Sequence, residues 1–202
     1  MKLYYSPGAC SLSVHIALKE SGLNFEAIAA PTKTHKLADG TDYYTINPLG
    51  YVPLLVLDDG NQLREGPAIV QYIADQVPSK NLAPGNGTFA RYKLQEWLTF
   101  IGTELHKGFS PLFTPGMPEE AKGIAKTRLA SRLQWLDGEL ANTLYLMGDI
   151  FTVADGYLFT VTNWSQYVGL DLSTYPNLLA FRGRVSARPK VIEAMKAEGL
   201  IK

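Results

Sequence analysis

The chain has 202 residues, enough for one large domain or two small ones. Its 46% hydrophobic and 19% charged residues favour a folded protein with a core over a disordered one. Nineteen basic and nineteen acidic residues cancel, which gives no electrostatic footprint for nucleic acid or an anionic membrane surface. The single cysteine excludes an internal disulfide, and no cysteine–histidine cluster has metal-site spacing. We therefore expect no metal, no nucleic acid and no membrane partner.

The N-terminal segment MKLYYSPGAC is too short in its apolar part to be a signal peptide. No stretch approaches the roughly 18 consecutive apolar residues that would span a bilayer. Together with the lone cysteine, these features predict a cytoplasmic protein.

Strand and helix signals alternate over the first 80 residues, as in a mixed α/β unit. The segment KLYY predicts a strand, residues 11–21 a helix that Gly22 ends, and FEAIAA a second strand, parallel to the first. The segments PLLVL and NQLRE then flank the turn at residues 58–60, and Pro67 fits the first turn of a helix. This order matches the four-stranded mixed sheet of the thioredoxin type.

Only helical signals follow the linker at residues 78–88. Two apolar stripes have helical spacing, namely Leu94, Leu98, Ile101 and Leu105, and Leu129, Leu133, Leu136 and Leu140. Thr152 and Asp155 have the spacing of a capping box before a helix that is apolar almost all round. We predict two domains, an α/β domain over 1–80 and an all-helical domain over 88–202.

Cys10 lies where the first predicted helix begins. The helix dipole and the unpaired amide N–H groups at that end favour an anion, which suits a reactive thiol. The alternative is a small buried hydrophobic residue, the commoner role of a lone cysteine. No second cysteine forms a C-x-x-C pair, so the sequence excludes an ordinary dithiol oxidoreductase.

Two further segments suit the binding of a small peptide. In YVP, a proline opens the third strand; in thioredoxin-like sheets this proline is cis and turns the backbone of the preceding residue, here Val52, towards an extended ligand. In REGPA, free N–H groups at a helix start would bind a carboxylate, and Glu65 would bind an ammonium group. An exposed strand start and an ordinary acidic helix start are the respective alternatives.

The segment LTFIGTELHKGF carries a polar row. At about 100° per residue of a regular α-helix, Thr99, Thr103 and His106 share a side roughly 135° from the leucine stripe. The alternative is a solvated face with His106 near a helix C-terminus.

The sequence predicts that His15 is exposed or half-buried. It contains no motif of a hydrolase, metalloprotease, nucleotide triphosphatase or dinucleotide-binding fold.

Five segments together resemble the cytosolic glutathione transferases, and more narrowly their bacterial beta class: MKLYYSPGACSLS, NPLGYVPLLVLDDG, EGPAIVQYIADQVP, RYKLQEWLTFIGTELHKGFSPLF and FTVADGYLF. Cys10 combined with His106 discriminates the class, because most other classes use a tyrosine or serine near the start of the chain. The resemblance covers essentially the whole chain. It implies an α/β thioredoxin-like N-terminal domain plus an all-α C-terminal helical bundle, a homodimer, and glutathione as co-substrate.

The resemblance also implies roles for individual residues. Cys10 lies beside the glutathione sulfur and can form a mixed disulfide with it, and His106 faces the same sulfur. The Ser11 hydroxyl is a further candidate donor to that sulfur. The other implied contacts with glutathione are Val52 before cis-Pro53 for the cysteinyl backbone, Glu65 and Gly66 for the γ-glutamyl end, Thr103 and Glu104 for that end from the partner subunit, His35 for the glycine carboxylate, and Thr99.

Two of these positions depart from the family. Lysine is common where His35 stands, and Lys36 is the alternative cation there. Asparagine is common where Thr99 stands, so one hydroxyl replaces an amide. Both departures affect the expected affinity and pH dependence of glutathione binding.

Three functions are compatible with this sequence. The leading hypothesis is transfer of glutathione to a hydrophobic electrophile held against Phe109, Phe113 or Trp164, with a role in detoxification. The second is glutathione-dependent redox chemistry through Cys10, such as reduction of disulfides or peroxides, or reductive dehalogenation. The third is a non-catalytic protein that binds hydrophobic ligands.

Overall fold

The structure is a computed structural model that describes all 202 residues. The chain divides into two compact units, residues 1–83 with 187–202, and residues 84–186. The division into two folding domains, residues 1–80 and 88–202, stays a prediction. By contact, the last 16 residues of the chain are grouped with the N-terminal unit.

A four-stranded mixed sheet forms the centre of the first unit. Its strands are β1 (Lys2–Tyr5), β2 (Glu26–Ala29), β3 (Leu54–Val56) and β4 (Gln62–Arg64), in the order β2-β1-β3-β4. β1 runs parallel to β2 and antiparallel to β3, so that Leu3 lies opposite both Ala27 and Leu55. The hairpin of β3 and β4 completes the predicted thioredoxin-like layout.

Three helices belong to this sheet unit: α1 (Ser11–Ser21), α2 (Gly66–Gln76) and, from the end of the chain, α9 (Pro189–Ala197). Gly22 ends α1 in the left-handed conformation with φ 74°, as its position predicts. Pro67 lies in the first turn of α2, again as predicted. Short 3-10 turns cover Tyr43–Thr45 and Pro78–Lys80.

The prediction that His15 is exposed or half-buried is wrong. Its side chain is 1% exposed, and its Nδ1 lies 2.9 Å from Oε1 of Glu198. The reason is that α9 packs against α1 and brings Glu198 to the face that local periodicity leaves open. A buried imidazole requires a hydrogen-bond partner, and the end of the chain supplies one.

The second unit is helical. Its helices are α3 (Phe89–Phe100), α4 (Lys107–Phe113), α5 (Glu119–Glu139), α6 (Val153–Thr162), α7 (Ser165–Val168) and α8 (Pro176–Ser186), with a 3-10 turn at Leu140–Asn142. Every residue of both predicted apolar stripes is buried. All ten residues of α6 are buried too, so this helix is central to the unit. No helix of the chain is both long and apolar enough to cross a bilayer.

The predicted regular α-helix through residues 94–106 is wrong at its second half, because Ile101–His106 is a π-helical segment. A π-helix has hydrogen bonds between residues i and i+5, so the rotation per residue about the helix axis is smaller than in an α-helix. The three residues predicted to share one side of the helix therefore differ in exposure: Thr99 and Thr103 are exposed, whereas His106 is half-buried. Such segments occur frequently at functional sites.

Candidate functional site

Cys10 is the N-cap residue of α1, as its position in the sequence predicts. Its Sγ donates to the carbonyl oxygen of Val52 at 3.1 Å, and its side chain is partly exposed. The thiol therefore lies at a helix start and beside the backbone that precedes β3. These are the two features that the sequence associates with thiol and peptide binding.

The turn before Cys10 is held by two groups that come from opposite ends of the chain. The buried Ser11 hydroxyl accepts a hydrogen bond from the Ser6 N–H at 3.1 Å and donates to the Ser6 carbonyl at 3.2 Å. Gly8, with φ 70°, donates its N–H to Oε2 of Glu198 at 2.9 Å. Ser11 thus shapes the turn, and its role as a donor to a bound sulfur stays a prediction.

The peptide bond between Val52 and Pro53 is cis, as predicted. The preceding carbonyl, that of Tyr51, accepts hydrogen bonds from the Tyr43 hydroxyl at 2.9 Å and from Nδ2 of Asn47 at 2.8 Å. Oδ1 of the buried Asn47 accepts from Nε of Arg64 at 2.9 Å. One amide therefore ties the segment before Val52 to the end of β4, a link that sequence reasoning missed.

Glu65 and Gly66 stand at the start of α2. Glu65 is exposed, with φ 66° and ψ 112°, a conformation that non-glycine residues rarely adopt. Its carbonyl accepts from the N–H groups of Ala68 and Ile69 at 3.0 Å, and Pro67 has no N–H. The predicted set of free donors at this helix start is therefore reduced to the N–H of Gly66.

His35 is half-buried beside Tyr44, with ring centroids 4.5 Å apart. Its Nδ1 is buried and has no hydrogen-bond partner. A side chain at Gly50 would collide with this pair, because its Cβ would lie 2.6 Å from the Tyr44 ring. The neighbouring Lys36 is exposed. The structure thus offers one unpaired imidazole nitrogen and one exposed ammonium group in this segment.

His106 ends the π-helical segment of the second unit. Its Nδ1 lies 2.7 Å from the hydroxyl oxygen of Tyr157, and its ring makes a T-shaped contact with the Trp164 ring at a centroid distance of 4.8 Å. Burial, with a smaller effect of the Lys107 charge, lowers the pKa of His106 to about 4. The imidazole is therefore neutral at pH 7. Tyr157 was not predicted, although a tyrosine hydroxyl inside an apolar helix requires a partner.

Two polar side chains near His106, those of Thr103 and Glu104, make hydrogen bonds within their own chain. The Thr103 hydroxyl donates to the carbonyl of Thr99 at 3.0 Å. Glu104 accepts from Nε of Arg132 at 2.7 Å and from Nη2 of Arg128 at 3.1 Å. These hydrogen bonds, that of Arg132 first, lower the pKa of Glu104. The predicted contacts of Thr103 and Glu104 with glutathione from a partner subunit stay predictions, as does the predicted contact of Thr99.

The three predicted acceptor-site aromatic residues form one cluster but differ in exposure. Trp164 makes T-shaped ring contacts with Phe109 at a centroid distance of 5.9 Å and with Phe113 at 6.0 Å. Phe109 is fully buried, Trp164 is 8% exposed, and Phe113 is 48% exposed. Phe113 is therefore the accessible ring, and Phe109 supports Trp164 from within the core.

The sequence of this chain matches known proteins over its full length. The N-terminal domain model of glutathione S-transferases matches residues 8–76, and the C-terminal domain model matches residues 100–189. The glutathione S-transferase GstA of Escherichia coli O157:H7 is 47% identical over 200 residues, covering 99% of this chain and 100% of that protein. The chain belongs to the glutathione S-transferase family.

Similar solved structures indicate the class of glutathione S-transferase to which the chain is related. The bacterial beta class glutathione S-transferase of Sphingomonas chungbukensis is 51% identical, with a TM-score of 0.96 and full coverage of both chains. A sphingomonad glutathione S-transferase complexed with glutathione is 48% identical, with a TM-score of 0.95 and full coverage of both chains. The resemblance to the beta class is thereby confirmed, and the protein is an enzyme of the transferase type.

In this transferase, Asn47→Ala is expected to raise the KM for glutathione about fivefold, because the segment that carries Val52 loses its tie to β4. Leaving the Tyr51 carbonyl and Arg64 without this partner should also lower the free energy of unfolding by about 2 kcal/mol. Steady-state kinetics and urea denaturation measure the two effects. Asn61→Ala, in an exposed turn, is the control. An unchanged KM at reduced stability would limit Asn47 to a structural role.

Proposed function

We propose that the protein, acting as a cytoplasmic homodimer, transfers glutathione to an electrophilic carbon of hydrophobic substrates in detoxification. The observation that carries the proposal is the 3.1 Å contact between Cys10 Sγ and the Val52 carbonyl oxygen. This contact places the Cys10 thiol at the start of α1, beside the backbone of Val52. That backbone segment can pair with an extended peptide. The glutathione held by the similar sphingomonad enzyme supports this choice of co-substrate.

Residues of the first unit bind the peptide part of glutathione in this proposal. The backbone of Val52, preceding Pro53, pairs with the cysteinyl residue. The Glu65 carboxylate binds the ammonium group of the γ-glutamyl residue, and the Gly66 N–H binds its carboxylate. His35 donates to the glycine carboxylate, with Lys36 as the exposed alternative cation.

The chemistry requires the glutathione thiol to lose its proton before it reacts. Amide dipoles at the start of α1, at Cys10 and Ser11, stabilise the resulting thiolate. Neutral His106 donates its remaining N–H to the same sulfur. The thiolate then forms a bond to the electrophilic carbon, and the leaving group departs with the electron pair. We propose that the substrate packs on Phe113 and on the small exposed part of Trp164, with Phe109 behind them.

A specific observation also supports the redox alternative. Cys10 is partly exposed and lies at a helix start, where a reacting thiol is accessible and the helix dipole interacts favourably with an anion. In that reaction the Cys10 thiolate attacks a glutathione-containing disulfide and expels the other thiolate. A second glutathione then attacks the mixed disulfide, which regenerates Cys10 and leaves oxidised glutathione as the product.

Cys10→Ala separates the two reactions. Conjugation of 1-chloro-2,4-dinitrobenzene should stay within about threefold of the wild-type rate, since the nucleophile belongs to glutathione. Reduction of a small mixed disulfide of glutathione should be lost. Cys10→Ser is the matched variant, because it keeps a donor near the Val52 carbonyl. Loss of conjugation by more than about 100-fold in both variants would contradict the proposed transfer mechanism.

A further inference from the structure

We propose that Tyr157 is a positioning residue for His106: its hydroxyl donates to Nδ1 and thereby holds the single proton of the neutral imidazole on Nε2. This inference deepens the proposed function and rests on it, because His106 is there the donor to the glutathione sulfur. The tautomer itself is a property of the unliganded protein. It can be measured whether or not the donor role holds.

The geometry leaves the imidazole little freedom. The distance between Nδ1 and the Tyr157 oxygen is 2.7 Å, within the range of a strong hydrogen bond. Tyr157 is 3% exposed and lies on α6, whose residues are all buried. The Trp164 ring meets the imidazole at 72°, and the Tyr157 ring meets it at 77°. Two buried aromatic rings therefore fix the plane and orientation of His106.

The chemistry of the two groups decides which one donates. A phenol hydroxyl, with a reference pKa of about 10, is far more acidic than the N–H of a neutral imidazole. The unprotonated imidazole nitrogen is in turn a better acceptor than a phenol oxygen. The bond from O–H to Nδ1 is thus the stronger arrangement. Because the hydrogen bond at one ring nitrogen sets the protonation of the other, Nε2 carries the proton.

The backbone next to this hydrogen bond is irregular. The π-helical segment Ile101–His106 ends at the imidazole. Gly102, in the same segment, faces the Tyr157 hydroxyl, so that a Cβ there would lie 3.7 Å from the oxygen. The π-helical segment and Gly102 thus lie next to the contact between His106 and Tyr157. Irregularities of this kind are typical of functional sites.

The tautomer determines what His106 can do for a thiolate. With the proton on Nε2, the ring nitrogen that does not contact Tyr157 offers a donor. With the proton on Nδ1, the same position would present a lone pair, which repels a negatively charged sulfur. Neutral His106 would then lose its capacity to stabilise the reactive anion, although its position in the fold would be unchanged.

Nitrogen-15 NMR of the imidazole rings tests the assignment directly. The chain has three histidines, and the His106→Gln variant identifies the signals of His106. We expect one protonated ring nitrogen at pH 7, assigned to Nε2. In Tyr157→Phe we expect a mixture of both tautomers and a fall in kcat/KM for conjugation of about tenfold. Observation of the proton on Nδ1 in the wild-type protein would overturn the proposal.

Tyr175→Phe is the matched control. Tyr175 is also a buried tyrosine of the helical unit, but its hydroxyl donates to the Ala130 carbonyl at 3.3 Å. This variant should leave the NMR signals of His106 and the conjugation rate unchanged. An equal loss of activity in both variants would assign the effect of Tyr157 to packing alone and count against the proposal.

A pair of variants at His106 keeps this inference separate from the proposed function. Gln presents an amide N–H near the position of Nε2, whereas Asn presents one near Nδ1. His106→Gln should therefore retain about tenfold more activity than His106→Asn. Wild-type activity in both variants would refute the donor role within the proposed function. The NMR result on the wild-type protein would still decide the tautomer.

Discussion

Replacement of Asp155 by alanine is expected to lower the free energy of unfolding by about 4 kcal/mol. Oδ2 of Asp155 accepts from the N–H of Thr152 at 2.7 Å and from its hydroxyl at 2.9 Å. Oδ1 accepts from the N–H of Leu146 at 2.8 Å. All three donors are buried, and alanine leaves them without an acceptor at the start of the most buried helix of the chain.

Asp155→Asn distinguishes hydrogen bonding from side-chain volume. An asparagine has the same shape, but it offers one acceptor and turns an NH2 group towards at least one of the three donors. It should therefore lose about half as much stability as alanine. Asp171→Asn is the control, because Asp171 makes the same kind of contacts to Ser173 on the exposed surface. Urea denaturation at pH 7 measures all three; similar values for Asp155→Asn and Asp171→Asn would contradict the argument.

The Asp155 carboxyl also gives the stability a specific pH dependence. Burial raises its pKa from 3.8 to about 6, against the opposing effect of its hydrogen bonds. Between these two pH values the native protein holds the proton more tightly than the unfolded chain. The contribution of this group to the free energy of unfolding therefore falls as the pH rises, by about 3 kcal/mol across the window. Asp155→Asn should lack this fall, and parallel stability curves between pH 4 and 7 would refute it.

The features that local periodicity could predict are those decided within a few residues. The capping of α6 by Asp155 depends on a spacing of three residues, and the end of α1 depends on a single glycine. The leucine stripes needed only a helical period to identify the buried faces. These patterns recur in the structure because each is sufficient for its own element.

The features that sequence reasoning missed depend on partners that are distant in the chain. Glu198 is 183 residues from His15, and Tyr157 is 51 residues from His106. No local pattern indicates which polar side chain will meet which. The π-helical segment was missed for a different reason: the apolar spacing of residues 94–105 fits a regular helix equally well. Among these missed features, only the hydroxyl of Tyr157 could have been noticed in the sequence, because a tyrosine hydroxyl inside the apolar helix α6 requires a hydrogen-bond partner.

Replacement of Glu65 by glutamine is expected to weaken glutathione binding about 30-fold, the effect of losing one charge-assisted hydrogen bond. In the proposed site, its carboxylate is the counter-ion of the γ-glutamyl ammonium group. Glutamine keeps the length and shape of the side chain but not the charge. Because Glu65 is exposed and makes no capping hydrogen bond, this change should leave the free energy of unfolding almost unaltered.

The backbone of Glu65 predicts an opposite effect on stability for a second variant. Its φ of 66° is readily adopted only by glycine. Glu65→Gly should therefore raise the free energy of unfolding by up to about 1 kcal/mol, since the released strain exceeds the entropy that glycine adds to the unfolded chain. The same variant should bind glutathione as weakly as Glu65→Gln. A residue that lowers stability but contributes to binding gives these opposite effects on stability and affinity. A purely structural residue does not.

Two measurements on the same samples test both halves of this argument. Isothermal titration with glutathione gives the affinity, and thermal denaturation without ligand gives the stability. Glu26→Gln is the matched control, because Glu26 is an exposed glutamate of the same unit in β2. Wild-type affinity in Glu65→Gln would remove Glu65 from the binding site. Reduced stability in Glu65→Gly would mean that the glutamate side chain contributes more to the fold than its left-handed backbone costs.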